Sequence, residues 1–403
     1  MAKIKPFKGL IYNTEIVENI SNVISPPWDI IDDEEEKRLY SSSKWNVINL
    51  ISKKNAPSDV NKFFTDFIKE KVLTQDNVES FYCLRHTFSY LGKSYERSGI
   101  FALIKIEDFK EGNIIPHEHV FEKHYTNRYR LIDECRANFS PVFMLYRDKE
   151  NRVEDVIEET PVIFEGNIGD DSLKFGRIDN QKDIQLIVDT ITPEKLFIAD
   201  GHHRYQAAFK FFQDNPDEKN GYVLVFLANL DSSGLVILPT HRYLPYNISF
   251  LENMPSFEEK FDVVKTENWD KTYEKMSKDV DKHIFGVYEK GSFYTITLKN
   301  EDTILELSSS QEHSKEWLSL DNVILKNIIF DGILNLKDRE VFYSASSEYI
   351  LNEYTKKQEG IIFFVNPVSK KSFLNISLNN EKMPQKSTYF YPKVPTGLVI
   401  HKF

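Results

Sequence analysis

Six of the ten histidines of this chain lie between positions 117 and 241. They fall in three short stretches: "PHEHVFEKH" at 116–124, "ADGHHRYQAA" at 199–208 and "PTHR" at 239–242. An arginine or lysine stands in or beside each of them. This is the composition of a phosphate-handling site. Arginine grips phosphate with a fork of donors, lysine acts as a point charge, and imidazole can donate to a phosphoryl oxygen. Such a site also needs an acid, to hold Mg²⁺ or to take the proton of an attacking hydroxyl. Asp29 and Glu118 are candidates for that acid on chemistry alone. His202 and His203, with Gly201 and Arg204, would meet the phosphoryl group. Lys123, Arg128, His241, Arg242, Lys386 and Lys393 would neutralise further charge.

Plainer readings stand beside this one. His202 and Arg204 can simply cap and pair locally, and Asp200 can be a helix N-cap. His117 and His119 share a face if extended, and with His202 they would make a metal-dependent hydrolase. His-Glu-His alone is a weak zinc signal, however, because zinc sites bring several ligands at known spacings. Lys123, Arg128 and Arg130 follow closely and fit an anion better. The chain has no Walker lysine loop, no G-x-G-x-x-G after a strand, no G-x-S-x-G and no His-Glu-x-x-His.

The elements that must position these residues can be read from periodicity. Leu196 to Ala199 reads as a strand, and Asp200-Gly201 as a tight turn. From His202 the pattern turns helical, with Tyr205, Ala208, Phe209 and Phe212 on one face. The polar cluster thus sits on the first turn of a helix, where unpaired N–H groups and the dipole favour an anion. Ser58 to Leu73 predicts an amphipathic helix with Phe63, Phe64, Phe67, Ile68 and Val72 inward. Residues 80–106 alternate as strands, Tyr129 to Arg136 reads as a helix, and Pro141 to Tyr146 as a strand. Tyr222 to Leu230 is a strong strand. "HIFGVYEKGSFYTITLKN" reads as a hairpin turning at Lys-Gly. Leu320 to Leu334 reads as a helix and "GIIFFVNP" as a buried strand. Helices and strands mix without a clean βαβ repeat, so the expected class is α+β. The expected division is 1–245, carrying the phosphate chemistry, and 246–403, a C-terminal α/β region. Its tail would return Lys386 and Lys393, so that "ADGHHR", "PHEH", "PTHR" and "KSTYFYPK" line one pocket.

Composition narrows the classes. The chain has 403 residues, 41% hydrophobic and 28% charged, which suits two or three globular domains. Its net charge of −11 argues against a nucleic-acid partner. Cys83 and Cys135 make no disulfide framework, and reduced thiols in a cytoplasmic protein are expected. The N-terminus lacks the apolar core of a signal peptide. The longest apolar run, at Tyr222, is far short of the ~20 residues of a membrane helix.

"ADGHHRYQAA", with "SPPWDII", "IIPHEHVFEKHYTNRYRLI" and "MPQKSTYFYPKVPTGLV", resembles a widespread prokaryotic family of about 400 residues labelled a domain of unknown function. The match runs nearly end to end. Asp-Gly-His-His-Arg at 200–204 also resembles the signature of the ParB/sulfiredoxin-like superfamily, where it sits at a helix N-terminus and holds nucleotide phosphates. The archaeal free-serine kinase of that superfamily carries the same five residues. The resemblance implies a ParB/sulfiredoxin-like core, ADP or ATP with Mg²⁺ as cofactors, and phosphoryl transfer to a small hydroxyl compound, free serine among them. Asp200, Gly201, His202, His203 and Arg204 would be the phosphate-binding and catalytic turn, with Asp200 binding Mg²⁺ or acting as the base. His202 stands where sulfiredoxins need cysteine, which argues against sulfinic-acid repair. A nucleotide-binding regulatory module without turnover is the alternative from another class.

Overall fold

The computed structural model describes residues 1–118, 126–279, 282–306, 313–336 and 340–403. They form two compact units: one takes in 1–116, 126–236 and 392–403, the other 117–118 and the described residues between 237 and 391. The fold is mixed α+β.

The first unit is built on a large mixed sheet. Among the described residues it has nine strands. Eight run in the order 114–116, 196–200, 142–146, 222–229, 93–105, 81–90, 171–178, 162–168, and the strand Ile4–Lys5 pairs with 93–105. Two neighbouring pairs are parallel, 196–200 with 114–116 and 222–229 with 142–146. The strand Val142–Tyr146 is buried throughout and Tyr222–Asn229 nearly so. Continuous apolar runs of this kind mark strands covered on both faces. The helices Arg152–Glu159, Gln181–Ile191 and His202–Asp214 supply Val153, Ile157, Ile184, Ile187, Ile191, Tyr205 and Phe211 to the core over this sheet.

The helix Pro57–Lys69 buries Val60, Phe64 and Phe67, but Phe63 is exposed, against expectation. Positions 60, 64 and 67 define the inward stripe at 100° per residue, and Phe63 falls at its edge. The chain end closes this unit. Thr396 bridges Ser25, Ile400 bridges Leu10, and His401–Lys402 pairs with Ala137–Asn138.

Among the described residues the second unit holds a six-stranded sheet in the order 261–266, 292–298, 284–289, 361–364, 241–244, 342–344. Every pairing is antiparallel, so this region is not the expected α/β layer. One pairing is local: 284–289 and 292–298 are linked by Lys290 and Gly291, both at positive φ, the geometry of a two-residue hairpin turn. The helix expected over 320–334 is α only at Asp321–Ile324 and continues as a π-helix over Leu325–Ile333. Ile324 and Ile329, and Leu325 and Phe330, are five apart and all buried, a spacing that the wider turn stacks on the core. Among the described residues no helix is long and apolar enough to cross a membrane. Cys83 and Cys135 are buried free thiols.

Candidate functional site

The strand Leu196–Asp200 lies between 114–116 and 142–146 and ends on Asp200. Gly201, at φ 91°, is the N-cap of the helix His202–Asp214 and makes no side-chain cap. Asp200 is therefore not the N-cap, the plainer reading of that residue. A Cβ at Gly201 would come within 2.8 Å of the Arg204 Nε, and left-handed φ already disfavours other residues. Glycine lets Arg204 fold back over the turn. The helix is pinned at Tyr205, whose hydroxyl donates to the Glu107 carbonyl at 2.8 Å and accepts from the Glu107 N–H at 3.0 Å. His202, Tyr205, Ala207, Ala208 and Phe211 are the buried residues of this helix. Phe209 and Phe212, expected inward, are only partly buried, because the inward stripe runs 202, 205, 208, 211.

Asp200 is clamped by two cations. Arg204 Nη2 donates to its Oδ2 at 2.6 Å, and Lys393 Nζ, from the returning chain end, to its Oδ1 at 3.0 Å. Arg204 Nη1 also donates to the Pro141 carbonyl. Burial pushes the Asp200 carboxyl up, but Lys393 and Arg204 outweigh it, and the net effect holds the group well below the usual carboxylate range. Arg128, on the helix Thr126–Cys135, approaches Asp29 at 3.7 Å. Burial pushes its guanidinium down, Asp29 opposes this, and Arg204 and Asp200 act on it with opposite signs. Arg128 and Arg204 line a small pocket of about 40 Å³ with Leu131, Ile132, Phe139 and Val223 among its walls. Among the described residues the first unit thus gathers Arg128, Arg204 and Lys393 around Asp200 and Asp29, with Lys53 also 3.7 Å from Asp29.

That balance suits an anion. A carboxylate held so far down is a weak proton acceptor. Among the described residues no three His, Cys, Asp or Glu gather to hold a metal. With both Asp200 oxygens taken up by cations, the donor set does not fit a resident Mg²⁺.

The depressed carboxyl fixes a pH dependence. A group with a folded value below its unfolded ~3.9 stabilises the fold fully above that value and loses the contribution as pH falls through the folded one. Urea unfolding of the wild type and of Asp200→Asn should therefore differ at pH 7. The gap should shrink steadily once the pH drops below about 4. A gap constant from pH 7 to pH 2 would show that Asp200 is not held by its cations.

The remaining candidates divide. Lys123 and His119 lie outside the described residues. His203 is half-buried on the first helical turn beside His202. In the second unit, His117 is buried, its Nε2 is 2.8 Å from the Thr388 hydroxyl, and its ring makes T-shaped contacts with Phe373 and Phe390. Glu118 lies 3.8 Å from the same nitrogen. These are the surroundings of a packed imidazole, not of an open metal ligand, and they weigh against a hydrolase built on His117, His119 and His202. His241 is a core residue against Phe364 and Trp269, and its Nδ1 accepts from the Val365 N–H at 3.4 Å. Burial, with Arg242 adding to it, pushes its imidazole down to about 3, so it stays neutral. A neutral ring in a hydrophobic core cannot serve as the phosphate ligand expected of it. Arg242 is buried, donates to the Lys386 carbonyl at 3.2 Å and lies over the Tyr343 ring. Lys386 meets Arg242 through its backbone, not its ammonium group.

One residue of the first unit escaped the sequence reading. Arg97 is wholly buried in the strand Lys93–Lys105. The signal was present: an arginine two and four positions from Gly99 and Phe101 shares their inward face.

Comparison with known proteins gives a family model and several solved structures. The model for "Protein of unknown function (DUF1015)" matches residues 4–323. No curated protein matches. The chain is similar to a solved structure of a free serine kinase in complex with AMP, at 13% identity, with 72% of this chain and 86% of that one covered and a TM-score of 0.35. It is similar to a conserved hypothetical protein from Pyrococcus furiosus at 13% identity, covering 73% and 93%, with a TM-score of 0.35. A third similar structure is SbnI with a C-terminal truncation from Staphylococcus aureus, at 10% identity, covering 73% and 84%, with a TM-score of 0.37.

Proposed function

We propose a nucleotide-dependent phosphotransferase acting on a small hydroxyl compound for this chain, which belongs to the DUF1015 family of proteins of unknown function. The observation that carries the reading is the cation cluster at the start of the helix His202–Asp214. Arg204 spends two of the five N–H donors of its guanidinium on Asp200 and Pro141. The rest of its fork, Arg128 and the helix N-terminus are available to a phosphate chain. His202 and His203, on that first turn, would donate to phosphoryl oxygens. Asp200 would hold Arg204 and Lys393 in place, and Asp29 would be the acid nearest the acceptor. Mg²⁺ would supply charge neutralisation as part of the bound nucleotide. The same reading gives the first unit a ParB/sulfiredoxin-like core.

One observation favours the regulatory alternative, binding without turnover. Asp200, the acid in the motif itself, is too weak a base to take a hydroxyl proton near neutral pH. Incubation with ADP or ATP, Mg²⁺ and a panel of small hydroxyl compounds, serine included, separates the two. A phosphorylated acceptor seen by mass spectrometry is the expected result. Nucleotide binding with no product from any acceptor would establish the regulatory module, and no binding of any common nucleotide would end both readings.

A further inference from the structure

Arg97 is a fully buried cation with few partners. Its Nη1 donates to the Pro392 carbonyl, while its Nε and Nη2 are buried with no hydrogen-bond partner among the described residues. Its guanidinium lies 5.0 Å from the Phe143 ring centroid and 5.3 Å from that of Phe226. Asp171, the acid whose charge acts on it, is engaged by His86 at 2.9 Å. Burying an arginine without a paired carboxylate is expensive, and an apolar residue would fill this strand position more stably.

Two of the contacts that Arg97 makes, those with Pro392 and Phe143, lead to Asp200. Pro392 precedes Lys393, whose ammonium group sits on Asp200 Oδ1. Phe143 is the cross-strand partner of Asp200. The chain beyond is held as well, with Thr396 Oγ1 3.3 Å from the Ser140 hydroxyl. We propose that Arg97 is a positioning residue: it locks the Pro392 carbonyl so that Lys393 closes on Asp200 and completes the anion site. The inference rests on the phosphate reading for its binding arm, but the closure itself is a property of the ligand-free chain.

Two measurements on the full-length protein test it. The first is hydrogen exchange of the 392–403 segment without ligand, in the wild type, Arg97→Met and Arg97→Lys. Exchange in this segment should rise about tenfold or more in Arg97→Met, as loss of a charged hydrogen bond predicts, while the strands 81–90 and 222–229 stay protected. Arg97→Lys keeps the charge and one donor and should restore part of the protection. Unchanged exchange at 392–403 in a folded Arg97→Met protein would overturn the proposal. If Arg97→Met does not fold, Arg97→Lys decides: protection equal to the wild type at reduced donor number would count against the proposal, and an intermediate rate would support it.

The second measurement is ADP binding by calorimetry in Arg97→Met, Lys393→Met and the double variant. Each single variant should bind about tenfold more weakly, and the double variant no more weakly than Lys393→Met alone. Additive losses would show that Arg97 acts independently of Lys393 and would overturn the proposal. Absence of ADP binding by the wild type would sink the phosphate reading and leave the exchange experiment to decide the role of Arg97.

Discussion

Arg204→Ala should bind ADP about 10- to 150-fold more weakly than the wild type, the equivalent of ~1.5–3 kcal/mol for a charged hydrogen bond. The expectation follows from where this guanidinium sits. It folds back over the Gly201 turn, donates to Asp200 and to the Pro141 carbonyl, and forms part of the wall of the pocket it shares with Arg128. A truncated side chain removes the donors aimed at a phosphate. It also leaves Asp200 with Lys393 as its remaining close cation, so the local charge turns less positive. Arg204→Lys separates the two effects, since it restores charge without the fork and should recover only part of the affinity. The loss should narrow as ionic strength rises, because an electrostatic contribution is screened. Calorimetry giving equal dissociation constants for Arg204→Ala and wild type would remove this turn from the binding site, whatever else the protein does.

The turn itself was legible because three signals coincide within ten residues. An apolar run, an Asp-Gly pair and a change to helical spacing each have a local physical cause, and together they fix a strand, a left-handed residue and a helix start. His241 shows where such reading stops. "PTHR" has the residue types of an anion site, yet the strand His241–Leu244 lies inside its sheet, between 361–364 and 342–344, and all four residues are buried. Burial on that scale is set by strand order, which local sequence does not encode. Arg97 fails in the opposite direction. Its inward position could be read from strand alternation, but nothing local says that a carbonyl from position 392 will meet it. The second unit illustrates the same limit at the level of the sheet. Its hairpin at Lys290-Gly291 was plain, while the antiparallel docking of 361–364 between 241–244 and 284–289 depends on pairings between segments far apart in the chain, such as Arg242 with Phe363 and Gly286 with Phe364. The return of Lys393 with the tail was expected, but its specific partner was not: the ion pair joins it to a residue 193 positions away.

That return leads to the largest effect on stability. A chain ending at Tyr391 should fail to form the first unit. The missing segment buries Val394, Leu398, Val399 and Ile400 almost completely. At ~1.5–3 kcal/mol for each buried aliphatic side chain, the loss is on the order of 6–12 kcal/mol, as large as the whole stability of a typical domain at ~5–15 kcal/mol. Further losses come from the pairing of His401–Lys402 with Ala137–Asn138, the bridges to Leu10 and Ser25, and the Lys393 contact with Asp200. Hydrogen exchange resolves the consequence by region. Amides of 81–90 and 222–229, in the first sheet, should lose protection in the truncated chain. Those of 284–289 and 292–298 belong to a core that draws on no residue beyond 391, and they should keep theirs. A truncated protein with both sets protected as in the full chain would show that the terminal segment merely lies on the first unit and does not hold it together. Lys393→Met in the full-length chain supplies the contrast, because it removes the charge at Asp200 and leaves the four buried side chains in place. It should weaken anion binding while both sheets stay protected, which separates the segment's part in the fold from its part in the site.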